Sequence, residues 1–200
     1  MIIHISGPSG SGKTTLGNKL KEKFKNKIVV KDLDDLLFEF VMIKEKSKYP
    51  VSTILKNWKE DYQKYIDKYI KNQNKPIIFV GLNIDMNRII GFRKKELKPP
   101  KAFYNIHADY KFYIDLPIEQ ILQQKFFRQT QKICDNKEKM FEKWLINPNR
   151  VNYQLEYLIN ISLWNKETEK WNKLYKKKNY NFMDKENIYN NIVKLLSSKK

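Results

Sequence analysis

Apolar positions along this 200-residue chain recur in two alternating rhythms. IIHIS (residues 2–6) is short, apolar and β-branched, and suits a buried strand. KTTLGNKLKEKFKN follows with Leu16, Leu20 and Phe24 at steps of four, one face of a helix. KIVVKDLDD reads as a second buried strand ending in acids. LLFEFVMIKEK then reads as a helix that stops before Tyr49-Pro50, because the residue ahead of a proline avoids helical geometry. From Ser52 to Asn72 the pattern is strongly helical, with Ile54, Trp58, Tyr62, Tyr65, Ile66, Tyr69 and Ile70 at steps of three and four.

PIIFV (76–80) is a third strand, and the irregular, basic stretch after it reads as a loop with one short helix. FYIDL (112–116) is a fourth strand. Pro117 opens a helix, a position that suits its missing N–H, with Ile118, Ile121, Leu122 and Lys125 on one face. Residues 128–150 have weak periodicity and many charges, as a mobile flap would. A long helix is expected over 151–177, then NYNFM (179–183) as a fifth strand. Asp184 caps a last helix that carries Ile188, Ile192 and Leu195.

Short strands alternating with helices predict an α/β fold: a parallel five-stranded sheet flanked by helices in three layers, with right-handed crossovers. No repeat or flexible linker divides the chain, so residues 1–200 are expected to form one domain. Ligands in such sheets bind at the carboxyl ends of the strands.

Composition narrows the class. No run approaches the ~18 apolar residues of a membrane span. MIIHIS leads straight into the glycines that follow, and reads as a strand and not as a signal peptide. The single cysteine, Cys134, cannot form an intramolecular disulfide, so a reducing, cytoplasmic setting is the expectation. The net charge of +18 invites a nucleic-acid reading. It is carried by 36 lysines and only 4 arginines, whereas arginine is the residue suited to base edges and bidentate phosphate contacts. Abundant Lys, Asn and Ile together match an AT-rich coding bias. A solvated basic surface is therefore preferred to a nucleic-acid interface, and it would still speed the arrival of an anionic substrate.

The chemistry is concentrated near the amino end. Four of the six glycines fall between Gly7 and Gly17. Gly7, Pro8, Ser9, Gly10, Ser11, Gly12, Lys13, Thr14 and Thr15 fit G-x-x-x-x-G-K-[ST], between a strand pattern and a helix pattern. Glycines let successive N–H groups turn inward around an anion, and the next helix presents its positive end to it. Lys13 would reach the β- and γ-phosphates of ATP, and the Thr14 hydroxyl would ligate Mg²⁺.

ISGPSGSGKTTLGNKL resembles the glycine loop of the small P-loop kinases, the group that holds nucleoside monophosphate kinases and shikimate-type kinases. FYIDLPIEQILQQKFFRQ is similar to the strand and helix leading into their lid, and KETEKWNKLYKKKNYNFMDKENIYNNIV to their closing elements. The resemblance implies a P-loop NTPase fold, with an acceptor region over about 32–105 and a lid over about 128–150. Shikimate-type kinases carry D-x-D after the second strand. Here DLDD implies Asp32 on the metal and Asp34, with Asp35 beside it, on the acceptor or as base. The lid helix implies Arg128 as the cation on the transferring phosphoryl group, with Arg150 as a second clamp.

Two departures matter. PIIFV ends in Val80-Gly81 with no acid, so a protein carboxylate for Mg²⁺ must come from Asp32 or Asp34. Adenylate kinases place an arginine soon after the glycine at this strand end, and here the offset holds Ile84. Gly81, Asn83, Arg88 and Arg93 are the remaining acceptor-site candidates. His4 reads as a core or edge residue, and Trp144, Trp164 and Trp171 as packing residues.

The expected activity is an ATP- and Mg²⁺-dependent transfer of the γ-phosphoryl group to a small acceptor, in the first place a nucleoside monophosphate. A hydroxyl acceptor served by an Asp base is the main rival. A nucleic-acid 5′-end kinase and a non-kinase P-loop ATPase are the others.

Overall fold

The computed structural model of the chain describes residues 1–8, 10–45, 58–81, 106–135, 145 and 161–198. In chain order the elements are β1 (Ile2–Ser6), α1 (Lys13–Phe24), a 3-10 turn (Lys25–Lys27), β2 (Val29–Asp32), α2 (Leu33–Glu45), α3 (Trp58–Lys71) and β3 (Ile77–Val80). They continue with β4 (Tyr110–Ile114), α4 (Ile118–Asp135), α5 (Ile161–Lys177), β5 (Asn181–Met183) and α6 (Lys185–Ser197). The five strands form one sheet in the order β2-β3-β1-β4-β5, and every neighbouring pair is parallel.

Two apolar layers cover this sheet. Side chains alternate across a strand, so Ile3 and Ile5 face one way and His4 and Ser6 the other. On the first face Ile3, Ile5, Ile78, Val80, Phe112 and Ile114 meet Leu16 and Leu20 of α1 and Ile188 and Ile192 of α6. On the second face Ile77 and Phe79 meet Leu36, Leu37 and Phe40 of α2 and Tyr62 and Ile66 of α3. Tyr113 there meets Trp171 and Tyr175 of α5, and Tyr180. Trp171 is thus a packing residue. β3 is buried along its whole length, which explains its unbroken apolar run. Each such side chain contributes about 1.5–3 kcal/mol on burial.

Gly17 lets α1 lie against the sheet. A β-carbon there would sit 2.9 Å from Val80 Cγ1 and 3.0 Å from Val30 Cγ1. No larger residue fits this approach.

Several boundaries differ from expectation. β2 ends at Asp32, and Asp34 and Asp35 lie in the first turn of α2 and not on the strand. The helix starts early because Asp32 Oδ1 accepts the Asp34 N–H at 2.9 Å and acids suit a helix N-terminus. β4 begins at Tyr110, two residues early, because it pairs from there with Ile3. Asp115 lies past its end, its N–H donating to the Met183 carbonyl at 2.9 Å. β5 begins only at Asn181, since Asn179 turns the chain at a φ of 58°. α4 continues to Asp135, through the first third of the segment expected to be a flap. Gln, Lys and Ile sustain a helix by propensity where no apolar stripe marks it. The rest of that segment, apart from Leu145, lies outside the described residues, as do 82–105 with their expected short helix and 151–160. Asp184 caps α6 as expected, accepting the Asn187 N–H at 2.8 Å.

Candidate functional site

Every described site residue proposed from the sequence, except Arg128 within α4, lies at or just beyond the carboxyl end of a strand. The loop between β1 and α1 is the centre. Its turn closes through Ser11 N–H on the Pro8 carbonyl at 3.1 Å. Gly12 has a φ of 85°, a left-handed conformation that side chains resist. It is also the N-cap of α1, with no side-chain cap and no acid in the first turn. The helical ladder begins at Leu16 N–H on the Gly12 carbonyl, 2.9 Å, so the turn before it directs its N–H groups out of the helix end. A helix end with no cap and no compensating acid is a place for an anion.

The Lys13 ammonium lies across the loop, donating to the Gly7 carbonyl at 3.0 Å and the Pro8 carbonyl at 2.8 Å. Ser6 and Ser11, buried at either end of the loop, carry hydroxyl oxygens without a hydrogen-bond partner in the described structure. Orphaned polar groups of this kind are uncommon in a finished core and fit a loop that closes around a ligand.

Thr14 and Asp32 come together from α1 and β2. The Thr14 hydroxyl donates to Asp32 Oδ2 at 3.0 Å, while Asp32 Oδ1 holds the Asp34 N–H. A hydroxyl and a carboxylate side by side are hard oxygen donors of the kind Mg²⁺ takes, with substrate phosphates and water completing its shell. No group of three or more His, Cys, Asp or Glu able to hold a metal occurs among the described residues. The residues present therefore fit a magnesium shared with phosphate and not an all-protein metal cage.

Gly81 also joins this corner. A β-carbon on it would lie 3.1 Å from Leu33 Cβ and 3.5 Å from Asp32 Oδ1. Asp34 and Asp35 are exposed on the first turn of α2. Asp34 is close enough to Tyr62 to add, after burial, to the rise of that phenol above its ordinary range. Pro8, Gly10 and Thr15 stay in the loop and first turn as expected. Ser9, Asn83, Arg88, Arg93 and Arg150 lie outside the described residues.

The burial of His4 agrees with its reading as a core residue, but its partners, and the contact made by a second residue, had no sequence expectation. His4, fully buried in the middle of β1, bridges strand ends. Its Nε2 is 3.1 Å from the Gly81 carbonyl and its Nδ1 2.5 Å from the Tyr180 hydroxyl. A carbonyl only accepts, so Nε2 carries the proton and Tyr180 donates to Nδ1. Burial, joined by the charges of Lys13 and Lys111, lowers the His4 pKa to about 4, against the opposing bond to Gly81. The second is Lys185, at the start of α6, whose side chain runs over Gly12. Its signal was available: a lysine directly after a strand and an N-cap, where a helix disfavours cations. Beside it, at the carboxyl ends of β4 and β5, opens a cleft of about 530 Å³ lined by Asp115, Phe182, Met183, Asp184, Asn187 and Asn191.

A parallel sheet in the order 2-3-1-4-5, whose first strand runs through a glycine loop into a helix, is the three-layer P-loop NTPase fold. No protein-family model matches the chain, and no curated protein matches it. Solved structures do. The chain is similar to thymidylate kinase from Ehrlichia chaffeensis, with 18% identity over 80% of this chain and 98% of that one, at a TM-score of 0.35. It is similar to deoxyadenosine kinase from M. mycoides, with 18% identity over 99% and 100%, at a TM-score of 0.46. It is also similar to a tRNA isopentenylpyrophosphate transferase from Staphylococcus epidermidis, with 13% identity over 100% and 99%, at a TM-score of 0.47. The fold assignment stands on the strand order and the glycine loop of this chain.

Proposed function

We propose that this protein is an ATP- and Mg²⁺-dependent phosphotransferase that moves the γ-phosphoryl group to a small acceptor, in the first place a nucleoside monophosphate. The observation that carries the reading is the pairing of Lys13 and Thr14. One lies across the phosphate loop on the Gly7 and Pro8 carbonyls, and the other holds Asp32 at 3.0 Å.

Loop N–H groups and the Lys13 ammonium bind and orient the triphosphate, with Lys13 turning from the loop carbonyls to the β- and γ-oxygens. Thr14 and Asp32 would hold the magnesium, which supplies charge neutralisation on those oxygens. The acceptor region is placed over about 32–105, where Asp34, Asp35 and Gly81 surround the corner beside Asp32. The lid is placed over about 128–150, with Arg128 and Arg150 as its cations and exclusion of water as its purpose. One domain and a reducing, cytoplasmic setting complete the proposal; the single cysteine supports the latter. Among the described residues no helix is long and apolar enough to cross a membrane.

A second reading has its own support. Asp34 is an exposed carboxylate two residues from Asp32, placed to take a proton from a hydroxyl acceptor. A monophosphate oxyanion needs clamps and no base. An ATP-turnover screen over nucleoside monophosphates, nucleosides and hydroxylated metabolites separates the two. Stimulation by one monophosphate is expected. Stimulation by a hydroxyl compound alone would transfer the assignment to the second reading, and turnover indifferent to every acceptor would remove both.

A further inference from the structure

The amino ends of α1 and α6 converge with two lysines between them. α6 is fastened beside α1 by Leu16, Leu20, Ile188 and Ile192 in one apolar cluster. Lys19 adds a contact to Glu186 at 3.8 Å and lies 4.3 Å from the Tyr189 ring centre. This packing sets Lys185 over the phosphate loop. A β-carbon built on Gly12 would lie 3.4 Å from Lys185 Nζ and 3.4 Å from its Cδ.

The Lys185 ammonium has no ion-pair partner among the described residues. Lys185 is the first residue of α6, and the Gly12 it covers caps α1. Both helix ends are positive, and both disfavour a cation. The two acids that flank Lys185 in sequence meet other partners. Asp184 accepts from the Asn187 backbone at 2.8 Å and from its side chain at 2.6 Å, and Glu186 meets Lys19. Among the described residues Lys185 has neither hydrogen bond nor ion pair. Lys13 stands on the same loop. An arriving polyanion relieves all of these charges at once.

We propose that Lys185 is a second phosphate-binding cation, reaching from α6 across Gly12 to the phosphate chain of the nucleotide held by the loop. The inference rests on the reading of that loop as an ATP site. It adds a residue from the far end of the chain, outside the glycine motif. Lys185 makes α6 a wall of the site, so the last helix responds to the nucleotide.

The test is calorimetry on the whole chain with Mg²⁺·ATP and, separately, with inorganic tripolyphosphate. Lys185→Ala is expected to raise the dissociation constant for both by roughly ten- to a hundredfold, the size of one charge-assisted contact. Its melting temperature is expected to stay at the wild-type value, and Lys185→Arg to restore most of the affinity. The salt dependence of binding is expected to become shallower in Lys185→Ala. Wild-type affinity in Lys185→Ala, beside lost affinity in Lys13→Ala, overturns the inference and leaves the ATP site standing. A penalty seen with ATP and not with tripolyphosphate also overturns it, since the contact would then lie on base or sugar. Failure of the wild-type chain to bind either probe removes the loop reading itself, and this inference with it.

Discussion

Thr14 and Asp32 are 18 residues apart in sequence, and the threonine hydroxyl donates to the aspartate Oδ2 at 3.0 Å. One opens the helix after the first strand and the other ends the second strand. Between them sits β3, whose end carries Gly81 and no acid. The corner to which β3 brings no carboxylate thus receives one, across one strand, from β2.

Asp32→Asn keeps the shape and removes the charge. Turnover is expected to fall about a hundredfold, as when one charge-stabilising group is lost from such a site. The Mg²⁺ concentration for half-maximal rate is expected to rise. A magnesium titration of wild type and variant checks this. Identical magnesium curves would leave Asp32 as the cap of α2 alone.

Lys13→Ala is expected to abolish turnover while the fold survives. The lysine bonds two loop carbonyls and belongs to neither apolar layer of the sheet, so the core is untouched. Circular dichroism melting and an ATP-turnover assay on the same preparation read the two effects. Retained turnover refutes the assigned role.

Gly17→Ala runs against the usual helix rule. Alanine normally stabilises a helix interior over glycine by roughly 0.5–1 kcal/mol. Here the new methyl group would stand 2.9 Å from Val80 Cγ1 and 3.0 Å from Val30 Cγ1. A loss of about 1–3 kcal/mol is expected from the forced shift of α1 against the sheet. Denaturant unfolding measures it, and a stabilised variant would show that α1 stands further from β3 than described.

His4 makes stability depend on pH. Its folded pKa is about 4, below the unfolded value of 6.5, so the unfolded chain binds the extra proton first. The penalty is absent above pH 6.5, grows as pH falls through 6.5, and levels off below about 4. Its full size is about 3 kcal/mol. His4→Gln, which retains a donor for the Gly81 carbonyl, is expected to flatten the stability profile between pH 4 and 6.5 relative to wild type. Parallel profiles would mean that another group titrates in that window.

Much of this architecture was legible along the chain. The five strands, the helix after the glycine loop and the Asp184 cap follow from local rules: apolar period, glycine placement and a side chain that satisfies its own helix end. The glycine loop between β1 and α1 was legible for the same reason, because its pattern lies within nine consecutive residues. Boundaries were the weaker part. DLDD reads as the tail of a strand until Asp32 is seen accepting the Asp34 N–H, which turns the next three residues into a helix. The helix through Arg128 to Asp135 has good helix formers without an apolar stripe, so periodicity passes over it.

The amino-acid sequence by itself thus determined the α/β alternation, the glycine loop and the acids at the end of the second strand, since each is written in neighbouring residues. Only the tertiary structure decided that Thr14 meets Asp32, that His4 joins Gly81 to Tyr180, and that Lys185 covers Gly12. Those pairs are 18, 77, 176 and 173 positions apart, and no local pattern can encode them. They arise because the sheet lays distant segments side by side, and at the carboxyl ends of its strands Thr14, Asp32, Gly81, Gly12 and Lys185 share one edge.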